Sequence, residues 1–379
     1  AMITFFSDLL GVDFPWQKYD QIVVSDFVTG AMENTTASIF MEDLNLDERE
    51  AIDSEWDGII AHELFHQWFG NYVTTESWSN LPLNESFADY SEYLWMEHHE
   101  GKDPADMHHI IGKESYLYEA REKQVDLIRF HYEQPEDMFD NHSYAKGGRV
   151  LHMLRNYVGD EAFFSSLHHY LEKNAFSSVE IHDLRLAFEA VTGKDLNWFF
   201  NQWFLSSGHP ILDVTFDMSQ PENILLTVTQ EQDQSIYPLY KLPFEVSWYH
   251  NGKRTERKFV MDQTRQQFAL ENGVKTDLVI FDESQVLLTE KKIHRGRETL
   301  ENQAVLSHAG IARYAALDSL AKQHPYDSEM GKLFEETLND KFSSVRELSL
   351  AKIAANLDSI PLSPGGENQV YHMALDDPE

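Results

Sequence analysis

One stretch constrains this chain more than any other: Ala61-His62-Glu63-Leu64-Phe65-His66-Gln67-Trp68-Phe69-Gly70-Asn71. Two histidines stand four residues apart, with a glutamate directly after the first. On an α-helix, positions i and i+4 share a face about one turn apart. His62 and His66 can therefore offer two imidazole nitrogens to a single ion. Glu63 then lies beside that ion without pointing at it, where a general base must sit to take a proton from an activated water. Apolar residues on both sides of the histidines predict a helix buried nearly all round.

A zinc ion that performs chemistry has three protein ligands and an open position, so a third ligand is required. Nineteen residues past His66 comes Glu85, in Asn84-Glu85-Ser86-Phe87-Ala88-Asp89-Tyr90-Ser91-Glu92. It opens a second expected helix, after a Ser-, Asn- and Pro-containing turn over 77–82. His62, His66 and Glu85 are thus the expected ligands of one Zn2+ per chain. The competing reading is a buried helix whose histidines bond to backbone carbonyls. It leaves Glu63 and Glu85 unexplained, because carboxylates are rarely buried without a partner. A metal-bound histidine gives its other N–H to a carboxylate or carbonyl. Asp89 and Glu92 follow Glu85 by four and seven residues on the same face, and Glu92 is the favoured partner. His98, His99, His108 and His109 lie in polar sequence and read as surface residues.

The chain has 379 residues, enough for two or three domains, and 42% of them are hydrophobic, enough for a sizeable core. Thirty Lys and Arg face 64 Asp and Glu, a formal net charge of −34, which disfavours a nucleic-acid partner. There is no cysteine, so the ligands must be His and carboxylate, which suits a catalytic rather than a structural zinc site. No apolar run reaches the ~18 residues of a membrane span. Met2-Ile3-Thr4-Phe5-Phe6 lacks the features of a signal peptide. A soluble protein is expected, cytoplasmic, or periplasmic or secreted if a leader has been removed. The abrupt apolar start and the end at Asp376-Asp377-Pro378-Glu379 suggest a fragment of a longer protein.

The overall expectation is a multidomain α+β chain. Residues 1–210 form a mostly helical domain around the motif. In it, residues 21–27 read as a strand running into a turn at Val28-Thr29-Gly30, then Ala31-Met32-Glu33-Asn34. The acidic run over 41–56 reads as solvated, and helical periodicity resumes at 113–123. After a loop over 135–142 comes Ser143-Tyr144-Ala145-Lys146-Gly147-Gly148. There Tyr144, at a helix mouth, can aim a neutral phenol donor into a cleft; packing is the plainer reading of such a tyrosine. Residues 163–173, 181–192 and 196–205 read as further helices. From 211 to 291 short alternating segments, with an Asn251-Gly252 hairpin signal, predict a small β-sandwich. A charged linker is expected over 291–297. Residues 292–379 then read as a helical, HEAT-like segment, with helices over 303–322, 328–338 and 345–356.

Gly30-Ala31-Met32-Glu33-Asn34, His62-Glu63-Leu64-Phe65-His66, Asn84-Glu85 and Tyr144-Ala145-Lys146-Gly147 form an ordered set. It resembles the aminopeptidase N-like family of zinc metallopeptidases, a gluzincin branch that also includes leukotriene hydrolase. The resemblance covers residues 20–210 through motifs. It implies a thermolysin-like catalytic domain, then a β-sandwich and a helical domain. It implies zinc on His62, His66 and Glu85, with Glu63 as general base and Tyr144 on the oxyanion. Glu33 would bind the α-amino group of a peptide substrate with a free N-terminus, and the Gly30 to Met32 backbone and Asn34 would line that substrate. The implied activity is removal of the N-terminal residue from peptides. Two departures stand out. Ser86 replaces the glycine of the family's usual N-E-G-F-A. The family's preceding β-domain is absent, and the helical domain is shorter, which raises a catalytically impaired fragment or scaffold relative as an alternative. The others are an endopeptidase on the same scaffold and a bifunctional epoxide hydrolase and aminopeptidase; Gly30-Ala31 rather than Gly-Gly leans away from the last.

Overall fold

The structure, a computed structural model, describes residues 1–379 other than 53, 221, 272, 357–359, 364, 367, 369 and 371–379, so the terminus at 376–379 lies outside the described residues. The chain forms two units, residues 1–210 with 232–241, and residues 211–231 with 242 onward.

In the first unit, α1 (Met2–Leu10) buries Phe6 and Leu10. Strands β1 (Asp20–Val23), β2 (Ala31–Met32) and β3 (Ala37–Phe40) form a sheet in the order β1-β3-β2. β1 runs parallel to β3, while β2 is antiparallel to it, with Ala31 opposite Phe40 and Met32 opposite Ile39. β2 is therefore an edge strand. The acidic run that follows forms short 3-10 turns with no buried side chain, as its charge requires. Next come α2 (Asp57–Phe65), β4 (Thr74–Thr75), α3 (Pro82–His99), α4 (Lys102–Glu119), α5 (Gly147–Val158) and α6 (Asp160–Lys173). β5 (Ser178–Val179), α7 (Ile181–Thr192) and α8 (Asn197–Trp203) complete the unit, β5 pairing with β4.

Helix α2 is held by aromatics. Phe65 stacks on Phe69 at 4.9 Å, and Phe69 on Phe87 of α3 at 4.3 Å. Trp68, fully buried, donates its indole N–H to the Val12 carbonyl at 3.1 Å. Each such ring contributes roughly 1.5–3 kcal/mol through burial, so the α2–α3 spacing is fixed by packing before any ligand is considered.

Two expectations for this unit are corrected. The helix expected over 113–123 is α4, which starts at Lys102. Its buried face is Ala105, Asp106, His109, Lys113 and Tyr116, so hydrophobic periodicity cannot reveal it. Of the four histidines assigned to the surface, His98 and His99 are exposed, but His109 is only 4% exposed. Its ring sits 5.0 Å from Tyr93 and 4.9 Å from His152. His108 is half-buried, with Nε2 3.3 Å from Glu92 Oε2.

The second unit contains β6 (Ile211–Asp217), β7 (Asn223–Gln230), β8 (Leu242–His250), β9 (Lys253–Met261), β10 (Arg265–Glu271), β11 (Leu278–Phe281) and β12 (Glu290–Ile293). They form two sheets, β10-β7-β6-β12 and β11-β8-β9. Phe268 of the first sheet meets Phe244 and Phe259 of the second, each at 5.3 Å. Lys291 to Ile293, expected in a linker, belong to β12, parallel to β6. The helix expected over 303–322 is two, α9 (Arg297–Leu306) and α10 (Gly310–Gln323), followed by α11 (Ser328–Thr337) and α12 (Ser343–Ala355). The break falls at Ser307, whose backbone is extended and whose hydroxyl donates to the buried Glu283 carboxylate. Arg313 then binds the freed carbonyls of Ser307 and His308.

Candidate metal centre and cleft

The regular part of α2 ends at Phe65, yet His66 keeps helical dihedrals and its N–H still donates to the His62 carbonyl at 3.2 Å. The i, i+4 relation therefore survives the helix end. Glu85 lies in the first turn of α3, behind Pro82 at the helix start. Its Oε2 is 3.4 Å from Nε2 of His62 and 3.4 Å from Nε2 of His66. The three donor atoms lie within 4.8 Å of one another and all three residues are buried.

The far side of each ring is fixed as well. His66 Nδ1 is 2.9 Å from the Phe69 carbonyl, which can only accept. His62 Nδ1 is 2.9 Å from Glu92 Oε1. Both Nδ1 atoms therefore carry hydrogen, and both Nε2 atoms face Glu85. Asp89 makes no such bond; its carboxylate lies against α5 at Gly148.

Electrostatics show what this trio demands. Burial disfavours charge on His62 and His66, but Glu85, with Glu92 at His62, more than reverses it and raises both rings, His66 to about 9. Burial would raise Glu85, but the two imidazoles outweigh it and hold its carboxyl far below the usual range. The site calls for positive charge at its centre. Two imidazole nitrogens, once deprotonated, and a carboxylate with no thiolate are a donor set for zinc. Glu63 is 5% exposed and burial, aided by Glu33 and Glu85, raises its carboxyl to about 7 against the pull of the histidines. Its Oε2 is buried without a hydrogen-bond partner, which leaves a basic oxygen free beside the trio.

The trio opens into a cavity of about 760 Å³. Ala31, Met32 and Glu33 line one wall, Trp78 and Phe139 flank another, and Tyr144 faces His62. Gly30 and Asn34 are not among the lining residues; their carbonyls accept from Met41 and Ala37 and close the turns around β2. Glu33, Glu63 and His66 place one polar atom each within 4.8 Å of one another. Among the described lining residues Glu33, Glu63, Glu76 and Glu85 are acidic and none is Lys or Arg.

Two residues of the motif stretch, assigned no role from sequence, hold β2 in place. Asn71 Nδ2 and Gln67 Nε2 both donate to the Glu33 carbonyl, at 2.8 and 3.3 Å, and Gln67 Oε1 accepts from Thr36 N–H at 3.0 Å. The turn that brings Asn71 back passes through Gly70 at φ 135°, a conformation closed to other residues. Both amides belong to the continuation of the motif, Gln67 buried directly after His66 and Asn71 half-buried past the Gly70 turn, and an amide flanked by apolar residues there is the signal that would have pointed to Gln67.

Tyr144 stands on a π-helical turn, His142–Lys146, that runs into α5. Such turns recur at functional sites. Within it Tyr144 alone is not buried, and its ring stacks on His62 at 5.9 Å and 15°. Burial, then Glu85, Glu33 and Glu63, push the phenol well above its ordinary range. It stays a neutral donor.

Known proteins match this chain in sequence and in fold. The profile described as "Peptidase family M1 domain" matches residues 1–203. The chain is 31% identical over 284 residues to "Probable aminopeptidase 1" of Sulfurisphaera tokodaii, covering 73% of this chain and 35% of that protein. It is 31% identical over 264 residues to "Aminopeptidase N" of Lactococcus lactis, covering 65% and 30%. The chain thus spans about a third of the length of these relatives. A crystal structure of Legionella pneumophila aminopeptidase A in complex with aspartic acid shares the fold with a TM-score of 0.78 at 18% identity, over 98% of this chain and 45% of that one.

Proposed function

Because the chain belongs to peptidase family M1, we propose that it carries the catalytic machinery of a zinc aminopeptidase, removing the first residue from peptides with a free N-terminus. Residues 1–210 are read as the thermolysin-like catalytic domain, 211–291 as a β-sandwich domain and 292–379 as a HEAT-like helical one.

His62, His66 and Glu85 would hold the zinc ion, which supplies Lewis acidity toward the first peptide carbonyl and a water. Glu92 fixes the tautomer of His62. Glu63 accepts the proton of the attacking water and returns it to the departing amine nitrogen, its Oε2 having no other hydrogen-bond partner. Tyr144 donates its phenol O–H to the carbonyl oxygen as that carbon becomes tetrahedral. Glu33 pairs with the substrate ammonium while the Ala31–Met32 edge strand lines the first residue, with Gly30 and Asn34 shaping the turns on either side. Asp89, on the same face of α3, packs against α5 at Gly148 and has no bond to the trio.

The observation that carries this reading is the placing of Glu33. Glu33 is a second carboxylate on the cleft wall, within 4.8 Å of Glu63 and His66, and it offers a charged partner to an ammonium entering beside the trio. An endopeptidase has no use for it. The test uses the zinc-loaded protein with paired peptides, free and N-acetylated. Free peptides are expected to lose single residues while acetylated ones stay intact, and Glu33→Ala should raise KM at least ~10-fold, a charge-assisted bond being worth ~1.5–3 kcal/mol. Cleavage of both peptides at equal rates would refute it.

A further inference from the structure

Every polar atom of Ser143, the residue before Tyr144, is held by a different buried group. Its N–H donates to Asp140 Oδ1 at 3.0 Å. Its hydroxyl accepts from Arg129 Nη2 at 2.9 Å and donates to the Met138 carbonyl at 2.5 Å. Its carbonyl accepts from the Ser86 hydroxyl at 2.7 Å. Ser143 itself is fully buried.

These contacts form two struts. The first is Arg129, 7% exposed on a segment outside the metal helices. Its guanidinium grips the Asp140 carboxylate through two bonds, at 2.7 and 2.9 Å, and also the carbonyl of Asp137. A bidentate guanidinium–carboxylate pair fixes direction as well as distance. Asp140 in turn accepts from the backbone of His142 and Ser143, so the pair grips the start of the π-helical turn. The second strut is Ser86, bonded covalently to the candidate ligand Glu85. Its hydroxyl spans from α3 to the carbonyl that precedes Tyr144. Gly147 leaves room for it, since a Cβ there would lie 2.5 Å from the Ser86 Cβ. The turn itself tethers the remaining neighbours: Asn141 and His142 to Glu119, Lys146 to the Gly208 carbonyl. Tyr144 is the member of the turn left to face the cleft.

We propose that Arg129 and Ser86 are positioning residues for the Tyr144 phenol, acting through Ser143 to set it against the metal trio. Neither lines the cleft. Arg129 orients the turn from outside, and Ser86, standing where the family's usual glycine would be, ties it to the helix that carries Glu85. The proposal rests on the reading of Tyr144 as the oxyanion donor.

The test is a double-mutant cycle on the zinc-loaded protein, with an aminoacyl anilide as substrate. Tyr144→Phe should lower kcat ~10²-fold. Ser86→Ala and Arg129→Ala should each lower kcat ~5- to 20-fold, with KM within about twofold, and guanidinium ion should restore part of the Arg129→Ala loss. In the Tyr144→Phe background neither should lower kcat further by more than about twofold. Amide exchange over 142–146 should quicken in both single variants while that of α2 is unchanged. Equal fold-losses in both backgrounds, or a loss confined to KM, overturn the proposal and leave the reading of Tyr144 intact. An unchanged kcat in Tyr144→Phe removes that reading and the proposal with it. Ser86→Ala deletes one oxygen, so it carries the cycle alone should Arg129→Ala fail to fold.

Discussion

Replacing Glu92 by alanine removes the carboxylate that accepts from His62 Nδ1 at 2.9 Å. The effect on zinc affinity follows from the geometry. A hydrogen bond to an ionised partner contributes ~1.5–3 kcal/mol. Both side chains are largely shielded, at 11% and 19% exposure, so solvent screening removes little of this. Burial works against ionisation of Glu92, but His108 and His62 outweigh it and hold its carboxyl at about 2, so the bond stays charge-assisted at neutral pH. His66 is unaffected, because its partner is the Phe69 carbonyl. At 1.4 kcal/mol per decade the loss corresponds to a zinc Kd raised ~10- to 100-fold. Glu92→Gln keeps an acceptor and should weaken binding less than 10-fold. His108→Ala, touching only the other oxygen, should change it least. Competition against a chromophoric chelator measures all three. A Glu92→Ala protein that holds zinc within about threefold of the parent would refute the claim that this carboxylate orients the ligand.

Glu63→Gln should keep zinc by the same chelator assay and lose ~10²- to 10⁴-fold in kcat; a variant that turns over normally removes Glu63 as the base. Gly147→Ala would set a Cβ 1.7 Å from the Ser86 hydroxyl, and should cost ~1–3 kcal/mol in a denaturation series. Adding Ser86→Gly should recover most of that, and no recovery would mean the strain lies elsewhere. Burial, reinforced by Arg149, holds His109 and His152 well below the ordinary imidazole range. The unfolded chain then binds protons that the folded chain refuses, so stability is present above pH ~6.5 and is lost as pH falls below it, with a limiting slope of ~1.4 kcal/mol per pH unit for each group. His109→Phe should flatten the change in urea midpoint between pH 7.5 and 5.5; an unaltered change would assign the acid sensitivity to other groups.

Spacing made the clustering of His62, His66 and Glu85 legible. The relation of His62 to His66 is a property of helical backbone, and a carboxylate at Glu85 has little other reason to be buried. Glu92 was reachable by the same arithmetic, one further turn along α3. Helix α4 was only half legible because Asp106, His109 and Lys113 occupy its buried face. Asp106 is satisfied there by Tyr93 and Lys102, which no periodicity reports. β12 reads as a charged linker because it is an edge strand with two successive lysines; Lys292 is exposed, while Lys291 turns inward to bind the buried Asp282. The π-helical turn under Tyr144 depends on Arg129 and Glu119, which come earlier in the chain and meet it only after folding.

The attachment of the Glu33 carbonyl to Gln67 and Asn71 has a consequence for how such a cleft can diversify. Glu33, the proposed anchor for a substrate ammonium, hangs from the same ten residues that carry the two imidazoles. On the proposed function, the gap from anchor to scissile bond is a fixed gauge, cut to the length of one amino acid by a single short peptide. The outer walls at Trp78, Phe139 and Glu76 are free of that constraint. Substitutions there can change which side chain is welcomed while the number of residues released per turnover stays at one.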